Sequence, residues 1–250
     1  DFRLTSMAEA DMQNNIAIRF SSGDVPDFVL LPSNLRNVAA TLDDQGQRLD
    51  PEFLLKYMPT FAQQVTKPFK QWASANGKMF GLPRYNVQPD NSGLFVREDW
   101  LKNLGMSEPA NEDELFEYAK AVTFNDPDKD EEADTWFMGT GGGATNFGMM
   151  EQLTCMFGHP SWNVENNKIN HPMLDGTRKQ FLQFVKKLYD AKLLSPDWYT
   201  MAWEQFKSYT LADKIGMVNY PGWNIVQETY DAHGKNDSYL NVWKPIAPLT

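Results

Sequence analysis

The sequence has little cysteine, no long apolar run and no excess of positive charge. Cys155 is the only cysteine among the 250 residues, so this chain cannot form an internal disulfide, and a disulfide-stapled scaffold is excluded. Cys155 lies in an apolar helical pattern and is interpreted as a small buried hydrophobic residue. No stretch approaches the roughly 18 consecutive apolar residues that a membrane-spanning helix needs.

The charge balance is acidic, with 33 Asp and Glu against 23 Lys and Arg and a formal net charge of −10. Binding to nucleic-acid phosphates needs clustered Lys and Arg, and a peripheral membrane helix needs a basic face. The sequence shows neither pattern. We therefore expect no nucleic-acid partner, and we expect membrane contact only through an anchor upstream of this chain.

Residue patterns typical of catalysis are also missing. The three histidines fit no zinc-binding spacing, and no G-x-S-x-G nucleophile elbow is present. The stretch 139–144 formally matches the G-x-G-x-x-A dinucleotide fingerprint, but the strand before it is very short and follows an acidic segment that would repel a pyrophosphate. We interpret it as a flexible loop whose backbone amides can meet a polar ligand.

Short apolar runs alternate with amphipathic helices along the chain, which predicts an α/β fold. The run Phe28–Leu31 predicts a buried strand, and residues 94–96 predict another. Asn111 and Glu114 have the spacing of a capping box at a helix start. The apolar residues between 177 and 192 recur at helical spacing and predict the clearest helix.

Five segments occur in a distinctive order: SGDVPD (22–27), NGKMFGLP (76–83), FVREDWLKNLG (95–105), PANEDE (109–114) and LYDAKLLSPD (188–197). Together they resemble the family 1 extracellular solute-binding proteins of ABC transporters, in particular the oligosaccharide-binding lipoprotein branch. The resemblance implies a periplasmic-binding-protein-like (type II) α/β fold, in which a hinge joins two lobes and the solute lies between them.

On this resemblance we expect residues 1–145 to form an N-terminal α/β lobe without its first strand. Residues 146–250 would begin a second, mostly helical α/β lobe whose C-terminal part is missing. The implied function is that of an extracytoplasmic subunit, a cell-surface lipoprotein or a periplasmic protein. It would bind a carbohydrate, in particular an oligosaccharide, and deliver it to ABC transporter permease subunits without catalysing a reaction.

The segment 125–135, NDPDKDEEADT, concentrates acidic side chains at alternate positions. Such side chains can converge on one hard cation, which takes six to eight oxygen ligands. The segment resembles calcium loops of alginate- and oligosaccharide-binding proteins. That implies a structural Ca²⁺ ion with carboxylate ligands from Asp126, Asp128, Asp130 and Asp134 and a backbone carbonyl from Glu132. Two positions depart from the pattern: Glu131 replaces a turn glycine and Phe137 replaces a bidentate Glu. The alternative is a solvated acidic loop.

Aromatic residues are plentiful, with 8 Trp, 9 Tyr and 16 Phe. A sugar presents apolar C–H faces and a rim of hydroxyls, so flat rings beside polar groups suit it. The candidate ligand-binding residues are Asp24, Arg84, Tyr85, Trp136, Asn146, Trp162, Tyr220 and Trp223. Core packing is the alternative for each aromatic, and Trp72 and Trp100 are assigned to the core.

Two other functions stay open at this point. A carbohydrate-active enzyme, a glycoside hydrolase or lyase, would share an aromatic-lined cleft, and its paired carboxylates cannot be recognised from sequence because their pairing is spatial. A structural or adhesive surface domain would have no small-molecule site.

Overall fold

The computed structural model describes residues 3–7, 9–31, 51–75, 78–82, 92–159 and 161–249. The chain divides into two compact units, Asp1–Pro89 (unit 1) and Asp90–Thr250 (unit 2). Over the ranges just given, no helix has the length and apolar character needed to cross a membrane.

Unit 1 is mainly helical. Its elements are α1 (Glu9–Ser21), α2 (Pro51–Tyr57), α3 (Pro59–Gln64), α4 (Lys67–Trp72), β1 (Ser74–Ala75) and β2 (Lys78–Met79). A proline in the first two positions starts both α3 and α4, where its missing N–H has no helical partner to lose. The two short strands pair antiparallel, and a small core joins them to the helices through Leu55, Val65, Ala73 and Met79.

Two sequence expectations fail in unit 1. Phe28–Leu31, predicted to be a buried strand, is irregular, and the side chain of Phe28 is 90% exposed. A strand needs a neighbour for its backbone groups, and the described part of unit 1 offers none at this position. Trp72, assigned to the core, is 46% exposed because α4 is a six-residue helix that buries none of its residues.

Unit 2 mixes helices with a small sheet. Its elements in chain order are β3 (Ser92–Arg97), α5 (Glu98–Leu104), α6 (Glu112–Phe124), a 3₁₀ helix (Gly148–Met156), β4 (Asn163–Glu165), β5 (Lys168–Asn170), α7 (Thr177–Asp190), α8 (Trp203–Leu211), β6 (Met217–Pro221), α9 (Gly222–Ala232), a second 3₁₀ helix (Asp237–Asn241) and β7 (Trp243–Pro245).

The sheet of unit 2 has the order β6-β3-β7, and both outer strands run antiparallel to β3. Phe95 in the centre lies opposite Val218 on one side and Pro245 on the other. The predicted strand at 94–96 is therefore confirmed. The predicted lobe boundary between Thr145 and Asn146 concerns the longer solute-binding protein and stays a prediction. Within unit 2, residues before and after it share this sheet.

The helices of unit 2 form as their sequence patterns predict. The Asn111 side chain accepts a hydrogen bond from the Glu114 backbone N–H at 3.0 Å, and the Glu114 carboxylate accepts one from the Ala110 N–H at 2.9 Å. This is the expected capping arrangement, shifted by one residue at its second bond. The helix predicted at 177–192 is α7, and it buries Phe181, Phe184, Val185 and Leu188 along one stripe.

The main core of unit 2 lies between β3, α5, α6 and α7. Its fully buried members include Val96, Trp100, Leu115, Tyr118, Val122, Phe181, Leu188 and Met217. Trp100, assigned to the core from sequence, is completely buried. At the start of β6, a Cβ on Gly216 would lie 2.8 Å from Val122, and the Gly216 carbonyl accepts a hydrogen bond from Tyr118. Only glycine lets β6 approach α6 this closely.

Candidate functional site

An aromatic platform forms where α8 begins and β6 ends. The indole of Trp203 stacks on the ring of Tyr220, with centroids 5.4 Å apart and planes 22° from parallel. Tyr220 is only 3% exposed, whereas Trp203 is 38% exposed. Trp203 is therefore a partly open ring that its neighbour fixes in position. Trp223, in the first turn of α9, is 71% exposed. We call Trp203 and Tyr220 the aromatic platform.

Charged groups surround the buried end of this platform. The Tyr220 hydroxyl donates to the Glu228 carboxylate at 2.7 Å, and Lys207 Nζ lies 3.1 Å from the same carboxylate. Burial raises the pKa of Tyr220 far above its usual value, and the hydrogen bond to Glu228 and the charges of Glu228 and Glu204 raise it further. Tyr220 is thus a neutral, fixed support for Trp203.

The sequence candidates divide by environment. Tyr220 lies in the platform, and Trp223 is exposed in the first turn of α9. Trp136 is partly buried and stacks on Tyr209 with centroids 6.0 Å apart, so it packs inside unit 2. Trp162 is 61% exposed beside the hairpin β4-β5.

The remaining candidates are in other surroundings. Asn146 is exposed, and its side-chain amide oxygen Oδ1 accepts a hydrogen bond from the Gly148 N–H at 2.7 Å. Asp24, in unit 1, pairs with Arg19 at 2.8 Å. Arg84 and Tyr85 lie outside the described residues. Trp203 was missed by sequence reasoning, because its place in the platform depends on a tertiary contact with a distant strand rather than on any local motif.

The glycine-rich loop 139–144 is packed rather than open. The backbone N–H groups of Gly143 and Ala144 donate to the carbonyls of Met201 and Tyr199. A Cβ on Gly142 would lie 2.2 Å from the Asn146 carbonyl oxygen. These amides are used internally, so they do not form a phosphate cradle, and the loop holds the chain close to the start of α8.

The acidic loop 126–135 brings three carboxylates together. Asp126, Asp128 and Asp130 each offer an oxygen within 4.8 Å of the others. Asp126 also accepts backbone N–H bonds from Asp130 and Glu131 at 3.2 Å, which curls the loop around this point. Glu131 adopts φ +66° at the sixth position, where the calcium-loop pattern has glycine. The backbone therefore makes the required turn despite the side chain.

Asp128 has the least favourable environment of the three carboxylates. Its Oδ1 atom is buried without a hydrogen-bond partner. Burial raises the pKa of the Asp128 carboxyl to about 6, and the charges of Asp130 and Asp126 act in the same direction. The loop borders a cavity of about 350 Å³, whose other walls include Arg97, Trp100 and Asp213. A cation beside Asp128 would satisfy the unpartnered oxygen and reduce the repulsion.

Asp134, the fourth predicted carboxylate ligand, lies in an ion pair in which Lys214 Nζ is 2.6 Å from Asp134 Oδ2. The backbone carbonyl expected from Glu132 stays a prediction. Phe137, at the twelfth position, is completely buried, so no bidentate carboxylate can come from there. Three carboxylates are therefore gathered, and at least three further oxygens would have to come from backbone carbonyls or water.

Comparison with known proteins identifies relatives of known type. No family model matches the sequence. Lipoprotein LipO of Bacillus subtilis (strain 168) is 26% identical over 228 residues, which cover 87% of this chain and 43% of LipO. The polygalacturonan/rhamnogalacturonan-binding protein YtcQ of the same organism is 24% identical over 196 residues. The match covers 78% of this chain and 39% of YtcQ.

Solved structures show the same fold. The S. pneumoniae ABC-transporter substrate-binding protein FusA in complex with kestose matches with a TM-score of 0.69 and 18% identity, covering 97% of this chain and 51% of FusA. An EF-hand mutant of FusA in complex with fructo-nystose also matches, with a TM-score of 0.66. The alginate-binding protein AlgQ2 without calcium ion matches with a TM-score of 0.71 and 19% identity. The match covers 95% of this chain and 49% of AlgQ2.

These likenesses confirm the predicted resemblance to extracellular solute-binding proteins and the type II periplasmic-binding-protein-like α/β fold. The chain spans about half the length of the relatives that it matches.

Proposed function

We propose that this chain is part of an extracytoplasmic solute-binding subunit of an ABC importer and that it binds an oligosaccharide. The observation that carries the proposal is the aromatic platform of unit 2, where the partly open ring of Trp203 is fixed against Tyr220. The relatives support it, since FusA is an ABC-transporter substrate-binding protein in complex with kestose.

The platform suits a sugar for physical reasons. The C–H face of a pyranose or furanose ring is flat and apolar, and it packs on an indole that does not need to reorganise. Trp223 adds a second open indole on the same unit. The carboxylate of Glu204, next to Trp203, is exposed and can accept a hydrogen bond from a sugar hydroxyl.

We further propose that no reaction follows binding. The Glu228 carboxylate accepts a hydrogen bond from the Tyr220 hydroxyl and pairs with Lys207. A carboxylate bound in this way is poorly placed to act as a nucleophile or a general acid on a sugar. Transport would instead require delivery to permease subunits, from a cell-surface lipoprotein or from the periplasm.

Titration calorimetry of the full chain against a panel of neutral and acidic oligosaccharides tests the binding proposal. We expect at least one member to bind, and the same incubation should release no new reducing ends. Release of reducing ends would instead favour a glycoside hydrolase. A panel that is silent throughout would contradict the oligosaccharide assignment.

We also propose that Asp126, Asp128 and Asp130 hold a structural Ca²⁺ ion. The converging oxygens, the unpartnered buried Oδ1 of Asp128 and the left-handed turn at Glu131 support the fit. When bound, the ion would neutralise the three carboxylates and fix the loop. Because Phe137 supplies no bidentate ligand, we expect weaker binding than in a complete twelve-residue calcium loop.

A further inference from the structure

The charges beside the aromatic platform are predominantly negative. Glu204 follows Trp203 in the first turn of α8 and is exposed. It makes no ion pair with any other described residue. Lys207, one turn further along α8, is already paired with Glu228 at 3.1 Å. The three charged groups therefore leave a net charge of about −1 beside Trp203.

The same carboxylates act on Tyr220. After burial, the largest influences that raise its pKa are the hydrogen bond to Glu228 and the charges of Glu228 and Glu204. A negative charge forming on the phenol would meet these carboxylates. A sugar carboxylate placed on the neighbouring ring of Trp203 would meet the same field, only partly screened by solvent.

The relatives do not decide which glycan chemistry this chain takes. YtcQ is a polygalacturonan/rhamnogalacturonan-binding protein and AlgQ2 an alginate-binding protein, so both are named for polysaccharides with acidic sugars. FusA, in contrast, is in complex with kestose, which is uncharged. The charge of the ligand has to be inferred from this chain's own residues.

We infer that the aromatic platform selects uncharged sugars over uronic acids, and that Glu204 is the residue that sets the preference. Hydroxyls of a neutral sugar on Trp203 can donate to the Glu204 carboxylate, whereas a uronate carboxylate has no hydrogen to donate and is repelled. The inference rests on the proposed function, because it concerns the charge of the glycan bound at that same platform.

A matched pair of ligands tests the inference on the full chain. The tightest neutral glycan of the panel is compared with its counterpart in which primary hydroxyls are oxidised to carboxylates. If the tightest glycan is a uronic acid, its carboxyl-reduced counterpart is used instead. We expect the neutral member to bind at least about fivefold more tightly at low ionic strength, with a smaller ratio at high salt.

Glu204→Gln separates the charge effect from the loss of a hydroxyl. It keeps the size of the side chain and removes the charge, so the preference for the neutral member should fall by about fivefold. Glu117→Gln is the matched control, since Glu117 is an exposed glutamate on α6 paired with Lys120. It should leave the ratio unchanged. Thermal unfolding of each variant checks that the fold is retained.

The outcomes distinguish the two proposals. If glycans bind but the acidic member of the pair binds equally or more tightly, the charge inference is overturned and the proposed function stands. If the neutral member is preferred and Glu204→Gln leaves the ratio unchanged, the role of Glu204 is overturned. If no glycan binds at all, the proposed function fails and the inference fails with it.

Discussion

The guanidinium of Arg97 lies 2.5 Å from the Asp213 carboxylate, although the two residues are far apart in sequence and Arg97 is only 3% exposed. Arg97 also pairs with Asp99 and lies over the ring of Trp100, at 4.5 Å from its centroid. Asp213 in turn contacts His233 Nε2 at 2.8 Å. One buried cation thus joins the end of β3 to the turn before β6 and the end of α9.

Replacing this cation should destabilise unit 2. Arg97→Met removes the guanidinium that Asp99 and Asp213 share, and we expect a loss of about 2–4 kcal/mol in the free energy of unfolding. Arg97→Lys should also be destabilised, because an ammonium cannot pair with both carboxylates in the planar geometry of a guanidinium. Urea unfolding measures both. Lys120→Met, which removes an exposed pair with Glu117, should cost less than about 0.5 kcal/mol.

The contribution of Asp128 to the stability of the metal-free protein should become less favourable as pH rises from about 4 to about 6. The pKa of Asp128 is raised from 3.8 to about 6 in the fold, so the folded state binds the proton more tightly than the unfolded state. This carboxyl therefore destabilises the fold only when it is ionised. Because Asp128 is only partly buried and solvent screens its charge, we expect an effect below about 1 kcal/mol.

Urea unfolding in the presence of a chelator measures this dependence, and Asp128→Asn should flatten it between pH 4 and 6. An unchanged pH profile in this variant would show that another group is responsible.

Calcium should remove the destabilisation that the ionised carboxylates of the acidic loop cause. Calcium binding should raise the thermal unfolding temperature at pH 7, and the chelator should remove the increase. Asp128→Asn and Asp130→Asn should each weaken binding at least about tenfold, because each removes one charged ligand from a set that already lacks the twelfth-position carboxylate. Asp190→Asn, an exposed carboxylate on α7 paired with Lys186, is the control. If Asp128→Asn and Asp130→Asn bound calcium as tightly as the Asp190→Asn control, the acidic loop would not be the calcium site.

Trp203 should matter for binding more than for stability. Trp203→Ala removes the open ring, and we expect glycan affinity to fall at least about tenfold. Trp136→Ala should mainly lower stability, because Trp136 packs inside unit 2 against Tyr209. Phe124→Ala, an exposed aromatic at the end of α6, is the control for both. Calorimetry and thermal unfolding on the same samples separate the effects. If Trp203→Ala bound the glycan with wild-type affinity, the aromatic platform would not be part of the binding site.

The helices of unit 2 could be predicted because their signals are local. Asn111 and Glu114 carry the capping information within four residues, and the stripe on α7 repeats with the helical period. The run Phe28–Leu31 was predicted wrongly because an apolar run shows hydrophobicity but not the partner strand that a sheet requires.

The candidate site could be predicted only in part. The acidic loop was recognisable because its three carboxylates alternate along five residues. The sequence did not show that Glu131 would adopt the left-handed conformation in place of glycine. Trp203 was missed because its orientation depends on stacking against Tyr220, which the chain reaches only after α8 and a turn.

Gly143, in the glycine-rich loop, and Gly148, at the start of the first 3₁₀ helix, give a final prediction about why these positions are glycine. Gly148 has φ +46°, and a Cβ there would lie 1.9 Å from the Thr140 carbonyl oxygen, a backbone atom that cannot rotate away. Gly143 has a similar φ of +56°, but its nearest neighbour would be 4.0 Å away. The two positions therefore share the conformational cost of a left-handed residue and differ in the steric cost.

Gly143→Ala should lose about 1 kcal/mol of unfolding free energy, and Gly148→Ala at least about 3 kcal/mol, because only the second forces the backbone apart. Urea unfolding of the two variants gives the difference directly. Equal losses would mean that the loop relaxes freely around Gly148. A large difference would show that close backbone packing against Thr140 is the reason for glycine at position 148.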